Sequence, residues 1–326
     1  MSLGEFELIK RYFAPLAEAS SDASVALGVG DDCAILNCPE GQQLVVSIDS
    51  LVEGTHFLPD TPADQLASRL FGAAVSDLAA MGATPAWITL ALSLPEASES
   101  WLEAFSTRLA TLCQQYQISL IGGDTTRGPL SLTAQVHGFV PVGKALKRAG
   151  AQVGDLICVS GKLGDSRGGL EGLLNGFPEA EGTEYLNQRF FAPTPRIELG
   201  QVLRDIATAA IDVSDGLLSD LAHILKASST GQQTLGARLQ VEALPLSTEL
   251  VSNFGEEKAR QWALTGGEDF ELCFTLPAEQ LPQLPNLPEP IAVIGKITDD
   301  ADIRLFDRGQ ACELGGAGYD HFKTHS

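Results

Sequence analysis

The sequence predicts two α+β domains, each built on a mixed sheet. Three observations carry this expectation. The chain is 326 residues long and 44% apolar, more than one ordinary core needs and enough for two. Strand-like and helix-like hydrophobic patterns alternate in both halves. Their spacing is too irregular for a simple parallel, doubly wound sheet.

The elements follow in order. Residues 4–19 carry an amphipathic helical pattern, and Val25–Val29 reads as a short strand ending in Gly30-Asp31-Asp32. Leu44–Ile48 reads as a strand ending in Asp49. Residues 63–82 have Leu66, Leu70, Ala74 and Leu78 on one helical face, with Gly82 and Pro85 as stop signals. Trp87–Leu94 alternates as a strand, 99–116 is amphipathic, Ile118–Ile121 is a strand ending in Gly122-Gly123-Asp124, and Leu130–Val140 is a long strand. The stretch 141–154 turns to Gly, Lys and Arg, so a boundary is expected there, with domains 1–147 and 148–326. Beyond it, strands are expected at Asp155–Ser160, Ala209–Val213, 236–243, 270–276 and 291–297, with a helix after a Gly-rich turn near 164 and another at 217–228. The Pro-rich stretch 277–290 reads as a surface loop or short helix.

Charge narrows the function. A net charge of −21 gives no basic footprint for nucleic acid and repels an anionic membrane surface. No stretch has the length of a membrane span, and the start lacks a signal-peptide core, so a cytoplasmic location is expected. The six cysteines are scattered without a C-x-x-C pair and read as reduced, buried thiols.

The chemistry is expected in the aspartates. Gly30-Asp31-Asp32, Ser47-Ile48-Asp49, Gly122-Gly123-Asp124 and Asp212-Val213-Ser214-Asp215 each set Asp beside small residues after an apolar run. Asp77 lies on a helix among Ala73, Ala74, Ser76 and Ala80. One such Asp alone is an ordinary turn or helix-capping residue. Five converging would repel one another, and hard oxygen ligands of this kind suit Mg²⁺ with phosphate. Gly122-Gly123 and the turn Gly161–Ser166 are candidate backbone cradles for phosphate. Gly138–Lys144 matches the spacing G-x-x-x-x-G-K, but Ala145 stands where Ser or Thr should hold metal, so no P-loop is expected. His56 follows Asp49 by seven residues, and Arg148 lies in the basic linker.

The segments GEF, GVGDDCAIL, SIDSLVEGTHF, SDLAAMGATP, IGGDTTRG, GDSRGGL, IDVSDGLLSDL, TGGEDFEL and GYDHF occur in this order from residue 4 to about 322. Together they resemble the thiamine-monophosphate kinase family, within the aminoimidazole ribonucleotide (AIR) synthetase-like superfamily. The resemblance implies ATP-dependent phosphorylation of thiamine monophosphate to thiamine diphosphate with several Mg²⁺ ions. It also implies N-terminal strands pairing across a homodimer to close a barrel. It marks Asp32, Asp49, Asp77, Asp124, Asp212 and Asp215 as Mg²⁺ ligands, with Ser47 and the Ile48 carbonyl beside them. Ile48 stands where the family often has Thr, so a hydroxyl ligand at 48 is impossible. Gly122, Gly123, Asp124, Arg148 and Ser214 match ATP contacts, and His56, Glu268 and Tyr319 match substrate contacts. No general base is expected, because a phosphate acceptor is already largely deprotonated near neutral pH. Two other readings stay open: a different ATP-dependent synthetase of the superfamily, and a non-catalytic ATP-binding maturation protein. The latter relatives use a C-terminal Cys tail, whereas the last cysteine here is Cys312.

Overall fold

The computed structural model describes residues 5–18, 22–179, 181–231, 233–284 and 290–313. The chain forms two compact units: residues up to 78 with 83–143, and Ala79–Gly82 with the remainder from Lys144.

The first unit opens with helical turns α1 (Glu5–Leu8) and α2 (Ala14–Glu18), joined by a π-helical segment, Ile9–Phe13. The ribbon β1 (Val25–Leu27) and β2 (Ile35–Leu36) follows. Next come β3 (Gln42–Val52), α3 (Ala63–Ala80), β4 (Thr84–Leu94), α4 (Glu99–Tyr116), β5 (Ser119–Arg127) and β6 (Ser131–Pro141). The sheet order is β3-β6-β4-β5, and only β4 and β5 run parallel. Apolar residues alternate along β6, so Leu132, Ala134 and Val136 are buried while their neighbours are not. Helix α3 covers this buried face: a Cβ on Gly138 would meet the Leu78 side chain at 3.3 Å. Helix α4 lies beside α3, where Arg108 donates to the Ser68 hydroxyl at 2.7 Å. Ser98 caps α4, and Gln117 ends it in the left-handed conformation (φ 56°).

The second unit carries β7 (Leu156–Ser160), α5 (Asp165–Asn175), α6 (Thr183–Phe191), α7 (Ile197–Leu203), β8 (Ala209–Asp212), α8 (Leu217–Ser228) and β9 (Gly236–Gln240). It continues through α9 (Thr248–Phe254), α10 (Glu256–Thr265), β10 (Leu272–Leu276), β11 (Ile291–Thr298), β12 (Ile303–Asp307) and β13 (Gln310–Cys312). Among the described residues the strand order is β13-β12-β9-β11-β7-β10-β8, all antiparallel except β9 with β12. Both faces of its centre are covered. Ile157, Val159, Ile211 and Cys273 pack with α8 on one side, and Cys158, Ala210 and Phe274 pack with Leu199 and Leu203 of α7 on the other. That double burial explains why β7, β8 and β10 are nearly continuous apolar runs in the sequence.

Four expectations need correction. β3 continues to Val52 and β5 to Arg127, so Asp49, Gly122, Gly123 and Asp124 lie inside strands rather than at their ends. The first helix is interrupted by the π segment. Cys33 and Cys38 are exposed, while Cys113, Cys158 and Cys273 are buried as expected. Helices α6, α7, α9 and α10 carry no expectation from the sequence. Among the described residues, no helix is long and apolar enough to cross a membrane.

Candidate functional site

In the first unit, a cavity of about 490 Å³ is lined by Asp31, Asp32, Gly122, Gly123 and Asp124, with Ile9 and Phe13 forming its apolar side. Its carboxylates are exposed. The Asp32 amide donates to the Asp31 side chain at 2.8 Å, which shapes the turn after Gly30 (φ 120°). β5 is the edge strand, so every second amide along it points away from β4. The two glycines there differ. A Cβ at Gly123 would lie 2.0 Å from the Leu90 carbonyl oxygen, so close strand packing demands glycine. At Gly122 the same atom would meet open space.

A second group gathers on β3 and α3. The Ser47 hydroxyl donates to the Asp77 carboxylate. Asp49 shares the Ser47 face of β3, so the strand turns both oxygen-bearing side chains toward α3 and Asp77. Ile48 points the other way and is 62% exposed. His56 lies just beyond the strand, where its Nδ1 accepts from the Val52 amide at 3.1 Å, and in a neutral ring the proton is then on Nε2. The His56 carbonyl accepts from Arg69, which fixes the turn to α3.

The register separates these groups. Asp49 pairs with Ala134, Ala134 with Leu90, and Leu90 with Gly123. Asp124 is one residue further, and so projects from the opposite face, in line with Ala91, Thr133 and Ser50. β3 and β5 are also opposite edges of the sheet, three strand spacings or roughly 14 Å apart. The expected convergence of Asp49 and Asp124 is therefore absent within the sheet of one chain. Among the described residues, no three His, Cys, Asp or Glu side chains are grouped closely enough to hold a metal. Mg²⁺ usually takes one or two carboxylates and completes its shell with phosphate and water. The hard oxygens of Asp32, Asp124 and the Ser47–Asp77 pair fit such an ion.

In the second unit, Asp212 ends β8 and is buried, and Ser214 and Asp215 form the turn before α8. Asp220 was missed from the sequence. It is 2% exposed, and its carboxylate accepts from the Ser214 and Asp215 amides at 3.0 and 3.1 Å. Burial, aided by the nearby Asp215 charge, pushes its pKa up to about 7. The Glu268 amide donates to the Ser214 carbonyl at 2.8 Å. Glu268 and Phe270 both have left-handed backbone, at φ 65° and 51°. Arg148 is exposed, and its carbonyl accepts from Ser228. Tyr319 lies outside the described residues.

The second cradle expected from the sequence is already filled. The Asp269 carboxylate accepts from the Gly164 amide at 2.6 Å and the Ser166 amide at 3.1 Å. The Gly161 and Leu163 amides donate to the Pro290 and Pro245 carbonyls. A carboxylate of the protein thus takes the place a phosphate would hold at the start of α5. Burial pushes Asp269 up to about 7. Glu271 behaves oppositely: burial acts to raise it, but hydrogen bonds from Arg196 and the charge of Arg189 hold it below the usual range. The rejected P-loop is strand β6 and a turn with no helix after it, and Lys144 pairs with Asp205.

This architecture defines a class, the AIR synthase-related fold. The model described as "AIR synthase related protein, N-terminal domain" matches residues 30–140. A curated thiamine-monophosphate kinase of Salmonella typhimurium is 51% identical over 331 residues, covering 99% of this chain and 100% of the relative. A crystal structure of thiamine-monophosphate kinase from Stenotrophomonas maltophilia K279a is 45% identical, with a TM-score of 0.85 over 96% of this chain and 99% of that one. A further structure, "AaThiL complexed with AMPPCP and TMP", is 31% identical, with a TM-score of 0.76 over 99% of both chains. The chain belongs to the thiamine-monophosphate kinase family, and so to the phosphotransferases.

Proposed function

We propose that this protein transfers the γ-phosphate of ATP to thiamine monophosphate, giving thiamine diphosphate and ADP. The observation that carries the reading is end-to-end similarity to a structure holding AMPPCP, an ATP analogue, together with TMP. The cavity walled by Asp31, Asp32, Gly122, Gly123 and Asp124 supports it, being of a size that suits a small ligand and carrying carboxylates that a Mg²⁺-bound phosphate would match.

In this reading a phosphate oxygen of thiamine monophosphate attacks the γ-phosphorus in line. A bond forms from that oxygen to phosphorus, the bridge to the β-phosphate breaks, and its electron pair leaves with ADP. No side-chain base is needed. Asp32, Asp49, Asp77, Asp124, Asp212 and Asp215, with the Ser47 hydroxyl and the Ile48 carbonyl, would hold Mg²⁺. When bound, Mg²⁺ neutralises charge on the two anions and on the transferred group. Gly122, Gly123, Asp124, Arg148 and Ser214 orient the nucleotide. His56, Glu268 and Tyr319 orient the thiamine moiety, with His56 presenting its Nε2 proton.

The N-terminal sheets are proposed to pair across a homodimer. Leu44, Val46, Ile48 and Val52 form an exposed apolar stripe along the edge strand β3. Such a stripe on an unpaired edge invites a partner. A second copy would bury it inside a closed barrel. The expected setting is the cytoplasm, where ATP is available.

Incubation of the purified chain with ATP, Mg²⁺ and thiamine monophosphate tests the reading by chromatography of the products. Thiamine diphosphate is expected. Failure of a folded sample to make it at any Mg²⁺ concentration would remove the proposal.

A further inference from the structure

We infer that Asp220 is a positioning residue for the phosphoryl transfer, a clamp that fixes the Ser214–Gly216 turn and joins it to the Glu268 loop. The inference rests on the kinase reading for the roles of Ser214, Asp215 and Glu268. The clamp itself stands on geometry.

Asp220 lies in the first turn of α8, yet it does not cap that helix. A capping side chain accepts from amides that follow it, at the start of the helix. Asp220 reaches backwards. Its Oδ2 accepts from the amides of Ser214 and Asp215, both before the helix. Successive amides pointing at one anion form a nest, which in other proteins receives phosphate or a similar ligand. Here a side chain of the same turn fills it. Burying a carboxylate beside the like charge of Asp215 is costly. An acid near a helix N-terminus has a general benefit, but the hydrogen bonds made here hold the backbone of the turn before the helix.

The fixed turn is then joined to the second loop. Ser214 donates its amide to Asp220 and accepts the Glu268 amide on its carbonyl at 2.8 Å. Val213 accepts from Phe270 at 2.9 Å and donates to the Glu271 carbonyl at 2.7 Å. The fit leaves no slack. A Cβ on Gly267 would lie 2.4 Å from the Ser214 carbonyl oxygen, and one on Gly216 would lie 2.9 Å from the Thr265 backbone. The left-handed conformations of Glu268 and Phe270 persist only where surroundings hold them. One peptide, Ser214, thus connects the nucleotide side to the substrate side.

The test compares Asp220→Ala with Asp220→Asn. Asparagine keeps an oxygen that can accept the amides, and alanine does not. The alanine variant should lose at least tenfold in kcat/KM for both ATP and thiamine monophosphate. Asparagine should restore both to within about threefold of wild type. A merely structural role would lower the amount of folded enzyme and leave kcat and both KM values per folded molecule unchanged. Alanine values within twofold of wild type, or an asparagine variant as defective as alanine, would overturn the clamp. If the alanine variant does not fold, hydrogen exchange on Asp220→Asn decides. Its weaker acceptor should speed exchange in segments 213–217 and 266–271 together, and faster exchange in the first alone contradicts the inference. Wild-type turnover is read in the same assay. Its absence removes the kinase reading, while the exchange measurement still tests the clamp.

Discussion

The Ser47 hydroxyl on β3 donates a hydrogen bond to the Asp77 carboxylate on α3. This contact ties the edge strand to the helix that covers the sheet, between two residues proposed to face the same Mg²⁺. It also orients Asp77, which sits among small helix residues that let the strand come near. Asp77→Asn should keep the fold and lower turnover at least 100-fold. Ser47→Ala, losing one orienting hydrogen bond of about 1 kcal/mol, should lower it by about tenfold or less. Steady-state kinetics at saturating Mg²⁺, with circular dichroism as the folding control, checks the order of the two effects.

Asp49 and Asp124 stand on opposite faces and opposite edges of one sheet. If both serve phosphoryl transfer, each should be needed separately. Asp49→Asn and Asp124→Asn should each lower kcat by 100-fold or more while the melting temperature stays within a few degrees. A variant that keeps near-wild-type turnover removes its residue from the site.

His56 has its Nδ1 engaged by the Val52 amide. His56→Ala should raise KM for thiamine monophosphate at least tenfold and leave KM for ATP within about twofold. Equal effects on the two would argue for a structural turn residue.

The apolar stripe on β3 predicts association through that strand. Val46→Asp should shift the protein toward monomer in sedimentation velocity, with the second unit still folded. Unchanged sedimentation would exclude this face as the interface.

Asp269 gives a pH signature. Its ordinary value is 3.8 and burial pushes the folded value up to about 7, so between these the folded state binds the extra proton. Its contribution to stability therefore falls as pH rises from about 4 through 7. Facing it are Arg189 of α6 and Asp165 of α5, with Glu271 two residues on, bound to the same Arg189. Glu271 acts in the opposite sense: its folded value is lowered, so its contribution is present above 4.5 and lost below it. Asp269→Asn should be less stable overall, having one acceptor fewer for the Gly164 and Ser166 amides, and it should flatten the decline between about pH 4 and 7. Chemical denaturation across that range checks the slope.

Much of this was legible in the sequence. Helix α4, strand β6 and the second half of β4 follow from hydrophobic period, because each buries one face or stripe. The aspartates and their small neighbours also stood out. What failed was the extent of β3 and β5. Ser47, Asp49 and Ser50 look like turn residues locally, and only pairing with the distant β6 keeps them in a strand. The strand order, which sets Asp49 and Asp124 apart, has no local signal at all. Helices α7 and α9 were missed because seven residues each is too short for a clear period. Two buried acids left a trace that went unread. Asp220 is an acid in the first turn of a helix that follows Asp215, and Glu271 stands directly before the apolar strand β10, where a buried charge requires a partner such as Arg189 or Arg196.

The most direct test of the central claim follows the phosphate itself. With ATP labelled at the γ-phosphorus, thiamine monophosphate and Mg²⁺, direct transfer predicts the label in the terminal phosphate of thiamine diphosphate, with one ADP formed per product and no free phosphate. Label released as inorganic phosphate, or a product without it, would contradict the account.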